Sequence, residues 1–386
     1  MKILGIDTSC DDTCASVLNV KCQNSNLKSC NFEILSNIIS SQVKLHAKYG
    51  GVYPSLAKRE HIKNLPLVFC RATKNIDISE INLIGVTVGP GLEPCLWQGV
   101  NFAIELAQKM KLLLVPVNHI EAHILANWLT PIYQCQMSNV KSQKLFPAVC
   151  LVVSGGHTQL IFMKKIGEYK LIGETRDDAA GECFDKTARV LGLGYPGGPA
   201  VAAEAAKLKT KNYKLKNKLP RPMIHTKDYD FSFSGLKTAV IYKVRRLKSE
   251  ETKKKEFIRE MCREVQQAII DVLIHKTLRA AKNFRAKSII LGGGVTANAE
   301  LKRQFEEKVK KEIPDSKFYI PDSKFCTDNA AMVATAAYFH QKEATKNWPG
   351  NTTSTGFSKE KPNTAKRVEV DILGWKKIGV NANLKI

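Results

Sequence analysis

The chain has 386 residues, a length that predicts two domains with sizeable cores rather than one. With 44% hydrophobic and 25% charged residues it is typical of a globular protein, and no apolar run approaches the roughly 18 residues of a membrane span. Its 59 basic and 36 acidic residues give a formal net charge of +23, which favours a polyanionic partner such as nucleic acid. The alternative is a surface that a low-GC genome has filled with lysine.

The N-terminus and the cysteines indicate the compartment. The first residues, MKILGIDTS, enter strand-like sequence at once, so we expect no secretory signal and a cytoplasmic location. The eleven cysteines are irregularly spaced and include no C-x-x-C pair, which argues against a zinc ribbon or a thioredoxin-like site. We therefore expect free cysteines that behave as small buried hydrophobes in a reducing compartment.

Strand-like and helix-like segments alternate along the chain, which predicts an α/β fold. In the first half we predict a strand at 2–6, a hairpin partner in ASVLNV, a helix at 54–73, a strand at 83–88, a helix to about residue 109, a strand at 112–117 and a helix opening at Asn118. In the second half we predict a strand at 148–153, a returning strand in QLIFM, a strand with a glycine turn at 287–294, a helix from about Ala297, a strand at 317–321 and a helix from Thr327 to Phe339.

The two halves share one plan, since each opens with a strand, a polar or glycine turn and a second strand. The openings lie about 145 residues apart, which is one domain length. This repetition predicts a duplicated architecture with a central cleft between the copies. The expected limits are an N-terminal domain at 1–133, a C-terminal domain at 145–342 and a polar, weakly patterned tail at 343–386.

His119 and His123 stand four residues apart in NHIEAH, so a helix places both imidazoles on one face, within reach of a single metal ion. Asn118 and Glu121 fit an N-cap and capping box, which explains Glu121 structurally and points it away from the histidines. A zinc-peptidase H-E-x-x-H motif needs its Glu at the position that Ile120 holds here. The alternative is two helical histidines satisfied by local hydrogen bonds.

Three glycine turns follow predicted strands: GPGL at 89–92, SGGH at 154–157 and GGG at 292–294. Each can offer backbone N–H groups, and the last two can cradle a phosphate. Their spacing matches neither a P-loop nor a dinucleotide fingerprint.

An acidic pair, Asp11 and Asp12, follows the first strand, with Asp7 just upstream. Carboxylates at a strand tip that faces a cleft suit metal binding, the orientation of an amine or general-base catalysis. The alternative is that aspartates here form turns and cap helices.

Nine segments, in the same order along the chain, resemble the tRNA threonylcarbamoyladenosine transferases, a family formerly named O-sialoglycoprotein endopeptidases. The segments are GIDTSCDDT, SQVKLHAKYGGVYPSLAKREH, VTVGPGL, NHIEAH, LVVSGGHTQL, DDAAGECFDKTARVLGLGYPGGP, FSFSGLKT, LGGGVTAN and CTDNAAM, and they cover about Met1 to Ala337. The resemblance implies a duplicated actin-like, sugar-kinase-like (ribonuclease H-like) fold. It also implies an acyl transfer in which N6 of the adenosine immediately 3′ of the anticodon, in tRNAs reading codons that begin with A, attacks threonylcarbamoyl-AMP and releases AMP.

The same resemblance assigns roles to individual residues. The implied ligands of one divalent ion per subunit, iron or zinc, are His119, His123 and Asp328. On its residue type alone, Asp328 at a predicted helix start can equally be an N-cap. The implied donor-binding residues are Val152, Val153, Ser154, Gly155, Gly156, Asp185, Gly198 and Asn298. The implied acidic pair near the acceptor amine is Asp11 and Asp12.

The resemblance implies tRNA and threonylcarbamoyl-AMP as substrates. It also implies either a catalytically inactive paralogous subunit with a small ATPase, or a homodimer, and no membrane. The helix at 54–73 is the candidate subunit interface, and the basic stretch KLKTKNYKLKNKLPR at 207–221 is the candidate tRNA contact. Three alternatives are a metallopeptidase, a small-molecule kinase of the same fold and a non-catalytic tRNA-binding subunit.

Overall fold

The computed structural model describes residues 1–22, 30–130, 145–208, 218–246, 255–346 and 378–386. Their strands are β1 (Lys2–Asp7), β2 (Asp12–Cys22), β3 (Cys30–Ser41), β4 (Ile81–Gly89), β5 (Leu113–Asn118), β6 (Ala148–Val153), β7 (Thr158–Lys165), β8 (Glu168–Glu174), β9 (Ser288–Gly292) and β10 (Lys317–Tyr319). Their α-helices are α1 (Val43–Ala47), α2 (Pro54–Thr73), α3 (Glu93–Met110), α4 (His119–Leu125), α5 (Ala180–Val190), α6 (Gly197–Ala206), α7 (Ser234–Arg246), α8 (Lys255–Asn283), α9 (Ala299–Glu312), α10 (Ser323–Cys326) and α11 (Ala330–Lys346). None of these helices is long and apolar enough to cross a membrane.

The strands form two five-stranded sheets with one topology. The first sheet has the order β3-β2-β1-β4-β5, and the second has the equivalent order β8-β7-β6-β9-β10. In each sheet the first three strands in sequence pair antiparallel, while the fourth and fifth run parallel to the first. The shared strand order confirms the predicted duplicated α/β fold.

The central strands carry the clearest sequence signal because they are covered on both faces. All six residues of β6, AVCLVV, are buried, as continuous apolar runs in the middle of such sheets usually are. The edge strand β3 instead mixes buried, half-buried and exposed positions. Strands β3 and β8 were not predicted from the sequence, because half-buried edge strands give a weaker apolar pattern.

Helix α11 comes from the second half of the chain but packs against β1, β2, β4 and β5 of the first sheet. Glycines in the strands allow the close approach: a Cβ at Gly5 would collide with the carbonyl oxygen of Ala330, and a Cβ at Gly85 would lie 2.5 Å from the Cβ of Ala337. The contact fixes the start of α11 against the first sheet. Asp328 lies two residues before that start.

Element boundaries differ from the sequence prediction where a polar cap intervenes. The predicted helix at 54–73 is confirmed as α2. Helix α9 begins at Ala299, not at Ala297, because the Asn298 side chain caps it. Helix α11 begins three residues later than predicted, where Oδ1 of Asn329 accepts a hydrogen bond from the backbone N–H of Met332.

The expectation that all cysteines are free was wrong for one pair. Cys22 and Cys30 form a disulfide. They are directly opposed in the antiparallel pairing of β2 with β3, which brings their Cα atoms to 4.0 Å. The other described cysteines are free, and all of these except Cys10 and Cys70 are buried, as expected of small apolar side chains.

Candidate metal and donor site

The first two candidate ligands lie on a short helix whose every residue is buried. Helix α4 starts directly after β5, and Oδ1 of Asn118 accepts hydrogen bonds from the backbone N–H groups of Ile120 (2.9 Å) and Glu121 (3.2 Å). The cap confirms the predicted helix start. The one-turn spacing brings the rings of His119 and His123 to a centroid distance of 4.6 Å.

Asp328 reaches these histidines from the other half of the chain. Its Oδ1 lies 3.2 Å from Nε2 of His123 and 3.5 Å from Nε2 of His119. One ligand atom from each of the three residues lies within 4.8 Å of the other two. Two imidazoles and a carboxylate form a donor set that suits zinc or iron.

The buried polar atoms of this cluster fit a cation. Among the described residues neither buried ring nitrogen of His123 has a hydrogen-bond partner, although Nε2 faces Asp328, and a cation bound at Nε2 would satisfy that nitrogen. Burial lowers the pKa of His123, so its imidazole is favoured in the neutral form that binds metals. Burial works against a charged Asp328, but the two histidines outweigh it and hold the pKa of this carboxyl well below its usual range.

Three neighbours of the cluster were not assigned from the sequence. Asp7 is fully buried, and its Oδ2 lies 3.3 Å from Nδ1 of His119. The Ser9 hydroxyl lies 3.5 Å from Nε2 of His119 and 3.5 Å from Oδ2 of Asp328. His157 follows the SGGH glycines, and burial, together with the nearby histidines, lowers its pKa to about 4. The motifs GIDTS and SGGHT were the available signals for these residues.

Glu121 does not complete the predicted capping box. Its Oε1 instead accepts a hydrogen bond from the Tyr169 hydroxyl at 2.6 Å and lies 2.8 Å from Nε2 of His340. The Asn118 side chain caps the N–H groups of Ile120 and Glu121, and the Glu121 carboxylate bridges α4 to β8 and α11. Its predicted direction, away from the ligand face of α4, agrees with these partners.

The SGGH turn offers an open cradle beside the cluster. A Cβ placed at Gly155 or at Gly156 would meet no atom of the described residues within 4 Å, so packing in this part of the chain does not require either glycine. The turn is braced from behind, because the backbone N–H of Gly181 in α5 donates to the carbonyl oxygen of Ser154 at 3.2 Å. Exposed backbone with no side chain leaves room for a ligand to approach closely.

Asp185 and Gly198, the residues expected at the donor ribose, lie next to each other. Oδ1 of Asp185 accepts a hydrogen bond from the backbone N–H of Gly197 at 2.6 Å, which joins α5 to the first turn of α6. A Cβ at Gly198 would again meet nothing within 4 Å. Burial, more than any other cause, raises the pKa of Asp185.

The acidic pair sits where the two halves of the chain meet. Burial raises the pKa of Asp12 to about 7, and the charges of Asp328, Asp11 and Asp7 add to the shift. Burial and Asp328 also raise the pKa of Asp11. The charge of Asp11 in turn contributes to the raised pKa of Asp185, whose main cause is burial.

Three predicted donor-binding residues have other contacts. The side chains of Val152 and Val153 are fully buried in the core, so only their backbone could face a ligand. Oδ1 of Asn298 caps α9, and its Nδ2 donates to Oε1 of Gln266 at 2.9 Å. The role of these three residues at the donor stays a prediction.

The GGG turn is shaped by packing. A Cβ at Gly292 would lie 2.7 Å from the carbonyl oxygen of His123, and Gly293 has a φ of +92° and lies against Val153. Gly292 lets β9 approach α4 at backbone distance, and Gly293 lets the turn lie close to the backbone of β6. Packing thus accounts for these two glycines, and a phosphate contact at this turn stays a prediction.

Most of the basic stretch at 207–221 lies outside the described residues, which omit 209–217. Of its described ends, Lys207 pairs with Glu204, and Arg221 pairs with Glu264 and Asp271. Arg221 is thus committed to carboxylates of the protein itself. The tRNA role of the remaining lysines stays a prediction.

Comparison with known proteins matches residues 33–335 to the family model described as tRNA N6-adenosine threonylcarbamoyltransferase. A protein of that name from Thermosipho africanus is 43% identical over 340 residues, covering 88% of this chain and 94% of the relative. Another, from Persephonella marina, is 43% identical over 350 residues, covering 89% of this chain and 91% of the relative. The crystal structure of T. kodakarensis HypF shares the fold with a TM-score of 0.52 at 12% identity, covering 89% of this chain. The chain spans about half of that structure's length, 48%.

Proposed function

The chain belongs to the tRNA N6-adenosine threonylcarbamoyltransferase family, and we propose that its donor is threonylcarbamoyl-AMP and its acceptor is N6 of the adenosine immediately 3′ of the anticodon, in tRNAs reading codons that begin with A. It is an acyltransferase with a duplicated actin-like α/β fold. The observation that carries the catalytic scheme is the convergence of His119, His123 and Asp328, from distant parts of the chain, beside an open glycine turn.

His119, His123 and Asp328 would hold one divalent ion, iron or zinc. When bound, such an ion supplies Lewis-acid polarisation of a carbonyl oxygen and a template for the donor. Asp7 orients the His119 ring from behind, and the capped helix α4 holds both imidazoles at fixed spacing.

The donor would lie across the SGGH turn. Gly155 and Gly156 leave open space in which backbone groups can receive the phosphate of the adenylate. The carboxylate of Asp185 and the open Gly198 would bind the ribose. AMP is a good leaving group, so positioning and electrostatics can supply most of the rate acceleration.

Asp12 would act as the general base for the amine. Its pKa of about 7 suits proton transfer near neutral pH. As the new C–N bond forms and the C–O bond to the phosphate breaks, the amine proton passes to the Asp12 carboxylate and AMP leaves with the electron pair. Asp11 would orient the acceptor.

The alternatives from the sequence have no support in this site. A metallopeptidase of the H-E-x-x-H type uses a glutamate on the ligand helix as its base, but Ile120 holds that position here and Glu121 is engaged with Tyr169 and His340. A non-catalytic subunit would have no use for the converged ligand set.

We propose that α2 forms the subunit interface, with a second copy or with a paralogous subunit that works with a small ATPase. Tyr53 at its N-cap and Ile62 and Leu67 on its outer face are 55%, 55% and 53% exposed, which is unusual for large apolar side chains. Light scattering on the Ile62→Asp/Leu67→Asp variant, alone and with the candidate subunit, separates the two partners.

We also propose the domain limits 1–133 and 145–342, the tail 343–386 and a cytoplasmic location.

The experiment that tests the function is nucleoside mass spectrometry of tRNA from cells depleted of this protein. We expect threonylcarbamoyladenosine to disappear on depletion and to return when the wild-type chain is supplied. Unchanged levels of the nucleoside after complete depletion would refute the proposal.

A further inference from the structure

The last nine residues, 378–386, form a segment without helix or strand that turns at Ala382 and Asn383, where the N–H of Leu384 donates to the carbonyl oxygen of Asn381 at 3.1 Å. We call this segment the C-terminal strap. Its even-numbered residues are half-buried and its odd-numbered residues are exposed, the period-two pattern of a chain lying on a surface. Ile378, Val380 and Leu384 pack against the apolar cluster of the first sheet, and Ile386 packs against the cluster that contains α4. The strap lies beyond residue 335, where the match to the family model ends.

Backbone hydrogen bonds hold the strap to the end of β4. The N–H of Asn381 donates to the carbonyl oxygen of Val88 at 3.0 Å, and the N–H of Gly91 donates to the carbonyl oxygen of Ala382 at 3.2 Å. A Cβ at Gly89 would collide with the carbonyl oxygen of Asn381. The strap therefore approaches the Gly89–Gly91 turn as closely as a neighbouring strand would.

That turn contacts the backbone of Ser9, which lies beside the ligand cluster. A Cβ at Gly91 would lie 2.5 Å from the carbonyl oxygen of Ser9, which accepts a hydrogen bond from the N–H of Leu92 at 2.8 Å. The Ser9 hydroxyl lies 3.5 Å from Nε2 of His119 and from Oδ2 of Asp328.

The other end of the strap contacts the cap of the ligand helix. The carbonyl oxygen of Lys385 lies within hydrogen-bond distance, 3.4 Å, of Nδ2 of Asn118. Oδ1 of Asn118 caps α4, so the strap contacts Nδ2, the other polar atom of the same side-chain amide. The Lys385 ammonium also lies 3.7 Å from Glu174 on β8, in the second sheet.

We propose that residues 378–386 are a positioning element for the metal centre. They hold the Asn118 cap and the Gly89–Gly91 turn in place. In this way they increase the affinity of the His119–His123–Asp328 cluster for a divalent cation. The inference rests on the proposed metal site. The strap supplies no ligand; its effect passes through Asn118 and through Ser9. Groups that orient metal ligands from outside the coordination shell typically change metal affinity by 10- to 100-fold.

The first test is a chain that ends at residue 377. Zinc affinity is measured by competition with a chromophoric chelator, and the fold is checked by circular dichroism and thermal melting. We expect zinc to bind about tenfold more weakly to the shortened chain. A synthetic peptide of residues 378–386, added in excess, should restore the affinity.

A matched pair of full-length variants covers the case in which the shortened chain fails to fold. Leu384→Ala removes a packed side chain of the strap, whereas Asn383→Ala removes its exposed neighbour. We expect Leu384→Ala to weaken zinc binding and Asn383→Ala to match the wild type. Wild-type affinity in Leu384→Ala and in the folded shortened chain would overturn the strap proposal, and a wild-type chain that binds no zinc would overturn the metal proposal on which it rests.

Discussion

Oδ2 of the buried Asp7 lies 3.3 Å from Nδ1 of His119, and Nε2 of the same ring lies 3.5 Å from Oδ1 of Asp328. The two carboxylates thus bracket one imidazole from opposite sides. Burial disfavours the charged ring, but Asp7 and Asp328 together outweigh it and raise the pKa of His119 to about 10. Without a metal ion the ring therefore favours the doubly protonated form. A cation bound at Nε2 would displace one proton, and Asp7 behind the ring would then fix its orientation and tautomer.

Asp7 is therefore expected to control metal affinity without binding the metal. Asp7→Asn keeps the shape of the side chain but removes the charge, and zinc affinity should fall by roughly 10- to 100-fold. Asp77→Asn, which changes a carboxylate at a short surface turn, is the control. Chelator competition measures both. An Asp7→Asn variant that binds zinc as tightly as the control would refute this role of Asp7.

Gly155 is expected to matter for the donor and not for the fold. Gly155→Leu fills open space, so stability should hold while affinity for a non-hydrolysable threonylcarbamoyl-AMP analogue falls by tenfold or more, about 1.4 kcal/mol. Gly292→Ala is the contrasting variant, since its Cβ would press on the carbonyl oxygen of His123 and lower the melting temperature. Calorimetry and thermal melting separate the two effects. Unimpaired analogue binding by Gly155→Leu would place the donor elsewhere.

Asp185 and Asn298 are expected to differ in what they support. Asp185→Ala should weaken binding of the same analogue by about 1–3 kcal/mol, because a buried hydrogen-bonding group is lost. Asn298→Ala should chiefly lower the free energy of unfolding, by about 0.5–2 kcal/mol, because its side chain caps α9. Denaturant unfolding and calorimetry on both variants check this. A larger loss of donor affinity in Asn298→Ala than in Asp185→Ala would reverse the assignment.

Asp12 is expected to make the free energy of unfolding depend on pH. Burial raises its pKa in the folded state to about 7 from an ordinary value of 3.8, so the protonated form contributes stability below about pH 4 that is lost as the pH rises through 7. In the presence of a chelator, Asp12→Asn should match the wild type near pH 4 and exceed its free energy of unfolding by about 1–3 kcal/mol at pH 8. Urea unfolding across this range measures the difference. A constant gap between the two proteins would show that Asp12 is not buried among charges as described.

The sequence predicted the parts of the site that carry a local signal. The four-residue histidine spacing and the glycines after strands indicated the ligand helix and the open turn, because helix and turn geometry follow from a few neighbouring residues. Contacts made by tertiary packing were missed. Glu121 meets Tyr169 and His340 through the packing of α4 on β8 and α11, and the strap read as a weakly patterned tail because its apolar residues alternate over only nine positions.

The role of the His119–His123–Asp328 cluster is tested by replacing the wild-type chain, in depleted cells, with one of two variants. One is His119→Ala, and the other is the control His225→Ala, which changes an exposed histidine. Threonylcarbamoyladenosine in tRNA is then measured by mass spectrometry at matched protein abundance. We expect the control to restore the nucleoside to the wild-type level and His119→Ala to leave it absent. Full restoration by His119→Ala would contradict the central claim that the His119–His123–Asp328 cluster carries the transfer.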